Sequence, residues 1–171
     1  MSEGHYLRKI DEQMGQKEYE MYRAIPAEEL GWENPAHHFS YEQWREFLYE
    51  RIKKEFDKED PCVTHIMYLG DYPIGIINLY LNSQSAIGKN ERSGSNVSYI
   101  IRPICRGTGL GRTMLELAID EARKLGIKKL TSAANRHNAA SWKTMEDCGF
   151  TFIKELDYGS KYYELNLEET E

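Results

Sequence analysis

The sequence of 171 residues lacks the cysteine patterns of disulfide-rich and zinc-binding proteins. Its three cysteines, Cys62, Cys105 and Cys148, are far apart and form no Cys-x-x-Cys pair or Cys/His cluster. Because both kinds of site need paired or closely spaced ligands, we expect free thiols and no metal. Free thiols are also typical of a reducing compartment.

Long apolar runs and an excess of positive charge are also missing. No segment approaches the ~20 apolar residues of a membrane-spanning helix, and residues 1–11 are too charged for a secretory signal. We therefore expect a cytoplasmic protein that contacts no membrane. The formal net charge of −6 argues against nucleic-acid binding, which needs a basic face. The excess of negative charge lies entirely in residues 1–60. This region is either an ordinary solvated surface or one suited to a cationic acceptor.

The composition that remains is that of one globular domain over residues 1–171, with 40% apolar residues. In residues 1–60 the pattern predicts a strand, a short helix, a loop over 31–38 and a second helix. Ser40 and Gln43 form a capping box for that second helix. Its predicted apolar face consists of Trp44, Phe47, Leu48, Ile52 and Phe56.

Residues 61–171 alternate strands with helices. We predict strands over 62–69, 74–81 and 97–102, with a polar loop or bulged strand start over 82–95. A helix over 110–125 ends at Gly126, and a second helix over 138–148 ends at Gly149. The Arg112–Glu116 and Asp120–Lys124 pairs support the first of these helices. The remaining predicted strands cover 127–133, 151–156 and 162–167, with a turn at 158–160.

A glycine-rich segment, residues 106–111, joins a predicted strand to a predicted helix. Glycines allow close approach of the backbone to an anion, and a helix N-terminus offers free N–H groups. A P-loop would need a lysine after Gly111, and a dinucleotide loop needs G-x-G-x-x-G, so neither pattern fits. The acetyltransferase pattern [Q/R]-x-x-G-x-[G/A] fits Arg106, Gly109 and Gly111. A tight turn without a ligand is the alternative.

With this loop the sequence resembles the GNAT acetyltransferases. Residues 99–103 are similar to the family's fourth strand, and residues 138–150 match N-x-x-S-x-K-x-x-E-x-x-G-F. The resemblance covers roughly residues 74–167 and is closest to uncharacterised bacterial predicted acetyltransferases. It implies an α/β (α+β) domain whose mixed sheet of six to seven strands splays between the fourth and fifth. About four helices flank that sheet, with residues 1–60 on the acceptor side and 61–171 as the acetyl-CoA-binding core.

The resemblance also implies acetyl transfer from acetyl-CoA to a primary amine of a small molecule or peptide N-terminus, by direct attack in a ternary complex. Pantetheine is expected to pair with the backbone of residues 100–102, and pyrophosphate with the N–H groups of residues 107–112. A homodimer is possible by the same resemblance. The residues expected to bind acetyl-CoA are Ile100, Ile101, Arg102, Arg106, Gly107, Thr108, Gly109, Leu110, Gly111, Arg112, Asn138 and Ser141.

The catalytic groups depart from the common family pattern. Met145 stands where many relatives carry a tyrosine acid, and Ser141 is the best substitute, unless it is an ordinary residue of the first helical turn. No carboxylate lies on residues 96–99, so a water chain or another side chain would serve as base. A non-catalytic CoA-binding module of the same fold is the alternative function. The candidate bases are His37, His38, His65, Glu33 and Glu91, and the tyrosines that could line the acceptor site are Tyr99, Tyr162 and Tyr163.

Overall fold

The computed structural model describes residues 4–82, 95–156 and 159–168. The strands within these ranges are β1 (His5–Lys9), β2 (Glu28–Glu29), β3 (Trp32–Glu33), β4 (Cys62–Leu69), β5 (Tyr72–Tyr80), β6 (Val97–Ile101), β7 (Lys129–Asn135), β8 (Thr151–Glu155) and β9 (Ser160–Asn166). The helices are α1 (Gln16–Ala24), α2 (Tyr41–Lys53), α3 (Leu110–Lys124) and α4 (Ala139–Asp147). None of the described helices is long and apolar enough to span a bilayer.

Seven strands form two adjoining sheets. The first has the order β1-β4-β5-β6 and the second the order β7-β9-β8, each with antiparallel neighbours. Helix α3 connects β6 to β7, so the chain crosses from the edge of one sheet to the edge of the other. Apart from the short strands β2 and β3 between α1 and α2, the elements follow the predicted order βααβββαβαββ, and this order and the break after the fourth strand in space confirm the predicted fold.

The two sheets meet at the start of β6, where Asn96 is almost completely buried. Its backbone N–H donates to the Thr131 carbonyl (3.0 Å), and its side chain accepts from the Thr131 N–H (2.7 Å) and donates to the Lys129 carbonyl (2.8 Å). Ser132 adds a bond to the Val97 carbonyl. Beyond these contacts no backbone hydrogen bond joins β6 to β7 in the described ranges, so the strands separate.

Two apolar cores cover opposite faces of the first sheet, as alternation along the strands requires. Ile77 and Ile101 belong to the core beneath α3 and α4, whereas Ile76 and Ile100 belong to the core beneath α1 and α2. Trp44 and Leu48 of α2 are buried in the second core, as predicted. Helices α1 and α2 thus cover one face of this sheet, and α3 and α4 cover the other.

The predicted helix boundaries rest on local hydrogen bonds. Ser40 and Gln43 form the capping box at α2. Helix α3 ends with Gly126, where the Ile127 N–H donates to the Ala122 carbonyl, and α4 ends at Gly149 with the same arrangement.

Three details differ from the sequence prediction, and one predicted segment falls largely outside the described residues. The loop over 31–38 contains strand β3, paired with β2, and a 3₁₀ turn over Pro35–His38. Phe56 is 76% exposed because α2 ends at Lys53 and a 3₁₀ turn follows. Asp120 pairs with Arg123 rather than with Lys124, which contacts Glu121. Most of the predicted loop over 82–95, including Glu91, lies outside the described residues.

Candidate active site

A cleft of about 1430 Å³ opens where β6 and β7 separate. Residues from both strands, from the start of α3 and from α4 line its walls, and β2, β3 and α2 close the other side. Ligand pockets of small molecules usually measure ~300–1,000 Å³. The cleft therefore has room for two reactants.

The edge of β6 that faces the cleft pairs with no described strand beyond the Asn96–Thr131 contact, although side chains bond two of its carbonyls. The Arg102 N–H donates to the Ile74 carbonyl (2.8 Å) on the β5 side, and the pairing alternates along an antiparallel strand. The backbone groups of Ile100 therefore face β5, whereas those of Tyr99 and Ile101 face the cleft. The Val97 carbonyl, on this second side, accepts a bond from Ser132 of β7.

The N-terminus of α3 presents free backbone donors to the same cleft. Gly109 is the N-cap with φ +81°, a left-handed conformation that favours glycine, and no side chain caps the helix. No described residue accepts a hydrogen bond from the N–H groups of Leu110, Gly111 or Arg112. Free donors and a helix dipole are together favourable for an anion.

The side chain of Arg106 turns away from these donors. Its Nε donates to the Ile101 carbonyl (3.0 Å), and its Nη2 donates to a Glu29 oxygen (2.8 Å). The ion pair ties hairpin β2–β3 to the glycine loop. The consensus arginine is thus bonded to its own loop and to β2, and it lines the cleft as well.

Ten of the residues predicted to bind the cofactor line the cleft, and Arg102 and Thr108 do not. The Arg102 guanidinium stacks over the Tyr72 ring at 4.9 Å, and the Thr108 hydroxyl donates to the Cys105 carbonyl. Asn138 caps α4 by accepting from the Ser141 N–H (3.2 Å) through Oδ1. Its Nδ2 donates to no described residue and remains available to a ligand.

Ser141 directs its hydroxyl toward Tyr99 of β6. The two hydroxyl oxygens are 3.2 Å apart, and both residues line the cleft. Burial raises the pKa of Tyr99 to about 12, against a smaller opposing effect of the Ser141 hydrogen bond. Tyr99 therefore stays protonated at neutral pH. Met145 is fully buried in the core, so the family's usual tyrosine position supplies no hydroxyl here.

The model of the acetyltransferase (GNAT) family matches residues 20–150, most of the chain. The protein belongs to this family. Its fold is that of the GNAT acetyltransferases, and the free α3 donors lie at the end of the glycine loop by which the sequence resembled the family.

Individual relatives support the family assignment. The L-methionine sulfoximine/L-methionine sulfone acetyltransferase of Salmonella typhimurium is 36% identical over 59 residues, which are 34% of each protein. The match thus spans about a third of that relative's length.

Solved structures show the same fold at low identity. RimL, a ribosomal L7/L12 alpha-N-protein acetyltransferase in complex with coenzyme A, has a TM-score of 0.73 at 16% identity, over 96% of this chain and 95% of RimL. The microcin C7 self-immunity acetyltransferase MccE, in complex with acetyl-CoA and AMP, has a TM-score of 0.70 at 13% identity, over 96% and 93%.

The candidate bases of this GNAT domain are dispersed. Glu33 lines the cleft. His37 bonds the Ile25 carbonyl through Nδ1 (2.7 Å), and neither it nor His38 lines the cleft. His65 is buried beside Glu121, and burial lowers its pKa. Glu33 is thus the described candidate best placed to act on an acceptor.

Sequence reasoning missed several residues of the site. Tyr99 lines the cleft, but Tyr162 and Tyr163, named with it, do not. Arg51 of α2 also lines the cleft, and nothing in its sequence neighbourhood distinguished it from a surface arginine. Asn96 belongs to the segment 96–99, which the sequence analysis considered only for its lack of a carboxylate. In the structure it joins the two sheets. These roles depend on contacts between residues distant in the chain.

Proposed function

We propose that the protein transfers the acetyl group of acetyl-CoA to the primary amine of a small molecule or a peptide N-terminus, by direct attack in a ternary complex. One observation carries the proposal: the open edge of β6, the free donors of α3 and the Ser141–Tyr99 pair share a single cleft. Family membership supplies the donor class, and the size of the cleft favours simultaneous binding of donor and acceptor.

Donor binding follows from unpaired backbone groups. Pantetheine would pair with the cleft-facing backbone of Tyr99, which leaves the Ile101 N–H for the acetyl oxygen, and the pyrophosphate would accept bonds from N–H groups at residues 107–112. Asn138 Nδ2 would donate to the pantetheine arm. Arg106 would contribute to the cofactor site with its backbone, since its guanidinium is bonded to Glu29.

The chemistry needs an oxyanion donor, a base and an acid. The amine nitrogen attacks the thioester carbonyl, the C–N bond forms and the C–S bond breaks. The Ile101 N–H would stabilise the negative oxygen, and water leading to Glu33 would accept the amine proton. Ser141 would donate its proton to the departing thiolate sulfur, with Tyr99 as its hydrogen-bond partner. Holding both reactants together supplies much of the rate.

The acceptor class is supported by the names of the relatives. RimL acts on the α-amine of a ribosomal protein, and the Salmonella relative acts on derivatives of an amino acid. Both acceptors carry a primary amine. In this chain the acceptor would enter beside Trp32, Glu33 and Phe47, which line the cleft.

A homodimer belongs to the same proposal. Strand β8 lies at the edge of the second sheet, and all five of its residues are exposed. Phe152 and Ile153 are each 46% exposed. An unpaired strand with exposed apolar side chains is a surface suited to association.

Two measurements test the proposed function in order. Acetyl-CoA at about 100 times its Kd should stabilise the protein by about 2.7 kcal/mol, seen as a higher Tm, because it binds only the native state. Thiol release is then followed over a panel of primary amines. No Tm shift at saturation would contradict donor binding, and a shift without thiol release for any amine would indicate a non-catalytic CoA-binding module.

A further inference from the structure

Arg51 is a cation inside the cleft whose hydrogen-bonding capacity is only partly used. Its Nη2 donates to Thr64 Oγ1 (3.0 Å) and to Asn78 Oδ1 (3.0 Å), and lies 3.5 Å from Cys62 Sγ. The Tyr80 hydroxyl also lies within hydrogen-bonding reach of the guanidinium, whose Nε and Nη1 have no other partner among the described residues. A guanidinium carries five N–H donors. Part of the fork is therefore open to a ligand.

No carboxylate in the described part of the chain forms an ion pair with Arg51. Asp60, whose charge influences the pKa of Cys62 and of Tyr80, lies within ion-pair distance of Lys54 instead. By contrast, the other cleft-lining arginines are paired, Arg106 with Glu29 and Arg112 with Glu116. A half-buried positive charge with neutral partners attracts an anion.

The neighbours of Arg51 hold the guanidinium in place. Thr64 and Asn78 are buried, at 2% and 8% exposure, and the Thr64 hydroxyl donates to Asn78 Oδ1 (2.7 Å). Asn78 Nδ2 in turn donates to the Ser98 hydroxyl (3.3 Å) of β6. This network holds one side of the guanidinium, and because Arg51 also lines the cleft, its remaining donors can meet an anion there.

The distance between Arg51 and the reacting centre limits the size of the acceptor. Asn78 is opposite Ser98 in the β5–β6 register, and Ser98 precedes Ile101 by three residues. At ~3.3 Å per residue, the two backbone positions are about 10 Å apart. A charge-assisted hydrogen bond of ~2.8 Å, an attack distance of ~3.3 Å and an oxyanion hydrogen bond of ~2.9 Å cover most of this distance. An amine and an anion separated by a few bonds are therefore enough to connect Arg51 with the Ile101 N–H.

We propose that Arg51 binds the carboxylate of the acceptor, and that the acceptor is therefore a small molecule of the amino acid class, with a primary amine and a carboxylate a few bonds apart. The inference rests on the proposed function and narrows it. A peptide N-terminus is a poorer match, because its nearest backbone carbonyl is neutral. Tyr22, Phe47 and Tyr80 line the cleft near the guanidinium and offer an aromatic wall for the rest of the molecule.

Matched pairs of acceptors test the assignment. We expect kcat/KM for free L-amino acids to exceed that for their amides by at least about tenfold, the effect of a lost charge-assisted hydrogen bond. In Arg51→Gln this ratio should fall to near one, and Arg51→Lys should restore part of it. Arg45→Gln is the control, because Arg45 lies on the same helix, bonds the backbone carbonyls of Met14 and Glu12, and does not line the cleft.

The affinity for acetylated products tests the role of Arg51 independently of turnover. N-acetyl-L-amino acids and their amides are titrated calorimetrically into CoA-saturated protein, and the acetyl-CoA thermal shift verifies that each variant is folded. Equal binding and equal turnover of acids and amides would overturn the role of Arg51 and leave the acetyltransferase intact. Acid-selective product binding without any turnover would keep the anion site and contradict the proposed reaction. If the enzyme preferred O-phosphoethanolamine to amino acids, the assignment of a carboxylate to Arg51 would be overturned.

Discussion

The Ser141 and Tyr99 hydroxyls face each other at 3.2 Å, which allows chemistry to be separated from binding at the scale of single residues. We expect Ser141→Ala to lower kcat by about 10²-fold, since water must then protonate the thiolate. The Kd for acetyl-CoA should change by less than about threefold, because most donor contacts are backbone groups. Thiol release and calorimetry measure the two quantities.

Thr144→Ala provides the control for this substitution. Thr144 lies on the same helix and lines the same cleft, but its hydroxyl donates to the Ala140 carbonyl (2.7 Å) and does not face Tyr99. A similar loss of kcat in Thr144→Ala, or an unchanged rate in Ser141→Ala, would show that Ser141 is not the acid. Tyr99→Phe should lower kcat by a smaller factor than Ser141→Ala, since it removes only the partner of the acid.

Side-chain roles were the least predictable property of the sequence. The consensus position of Arg106 was recognised, yet its guanidinium bonds Glu29, which lies 77 residues earlier in the chain. Arg51 and Asn96 likewise acquire their roles from partners on other elements. No local pattern encodes such contacts, because they depend on how the elements pack.

At the scale of elements, a substitution at the start of α3 can change anion binding without destabilising the fold. An added Cβ at Gly111 would meet only Thr144 Oγ1, at 3.9 Å, and an acidic residue is favourable in the first turn of a helix. Gly111→Asp should therefore keep or raise the Tm in the absence of ligand. Its carboxylate would repel the pyrophosphate and weaken acetyl-CoA binding by at least about tenfold. Thermal shift and calorimetry measure both effects.

Gly111→Ala is the matched variant, since it adds the Cβ without the charge. It should bind acetyl-CoA nearly as the wild type does. If Gly111→Asp also bound acetyl-CoA normally, the pyrophosphate would have to lie away from the α3 N-terminus.

Helices and strands were predictable where their signals are local. The capping box at Ser40 and the glycines at 126 and 149 set helix ends that the structure reproduces. The segment 31–38 was predicted as a loop because Gly31, Pro35 and two histidines obscure the short strand Trp32–Glu33. That strand is only two residues long and exists by pairing with β2, which a periodicity argument cannot detect.

At the scale of the whole molecule, buried tyrosines make stability depend on alkaline pH. Burial raises the pKa of Tyr22 and of Tyr99 to about 12, above the value of about 10 in an unfolded chain. Their contribution is fully present below pH ~10 and is lost as the pH rises toward 12. Each group would cost up to about 1.4 kcal/mol per pH unit in that window.

Circular dichroism melts between pH 8 and 12 measure this loss. Tyr22→Phe should show a shallower decline of Tm than the wild type above pH 10, because one titrating group is removed. Equal slopes for the two proteins would mean that Tyr22 does not contribute to the alkaline transition.

The separation of β6 from β7, fixed at one end by Asn96, leaves the domain with an incomplete sheet. The amides of Tyr99 and Ile101 face the cleft and donate to none of the described residues, at positions where a continuous sheet would protect them from hydrogen exchange. If pantetheine pairs there as proposed, the donor substrate serves as the missing strand, and the fold is complete only during the catalytic cycle. Substrate occupancy and the mechanical stiffness of this domain would then rise together.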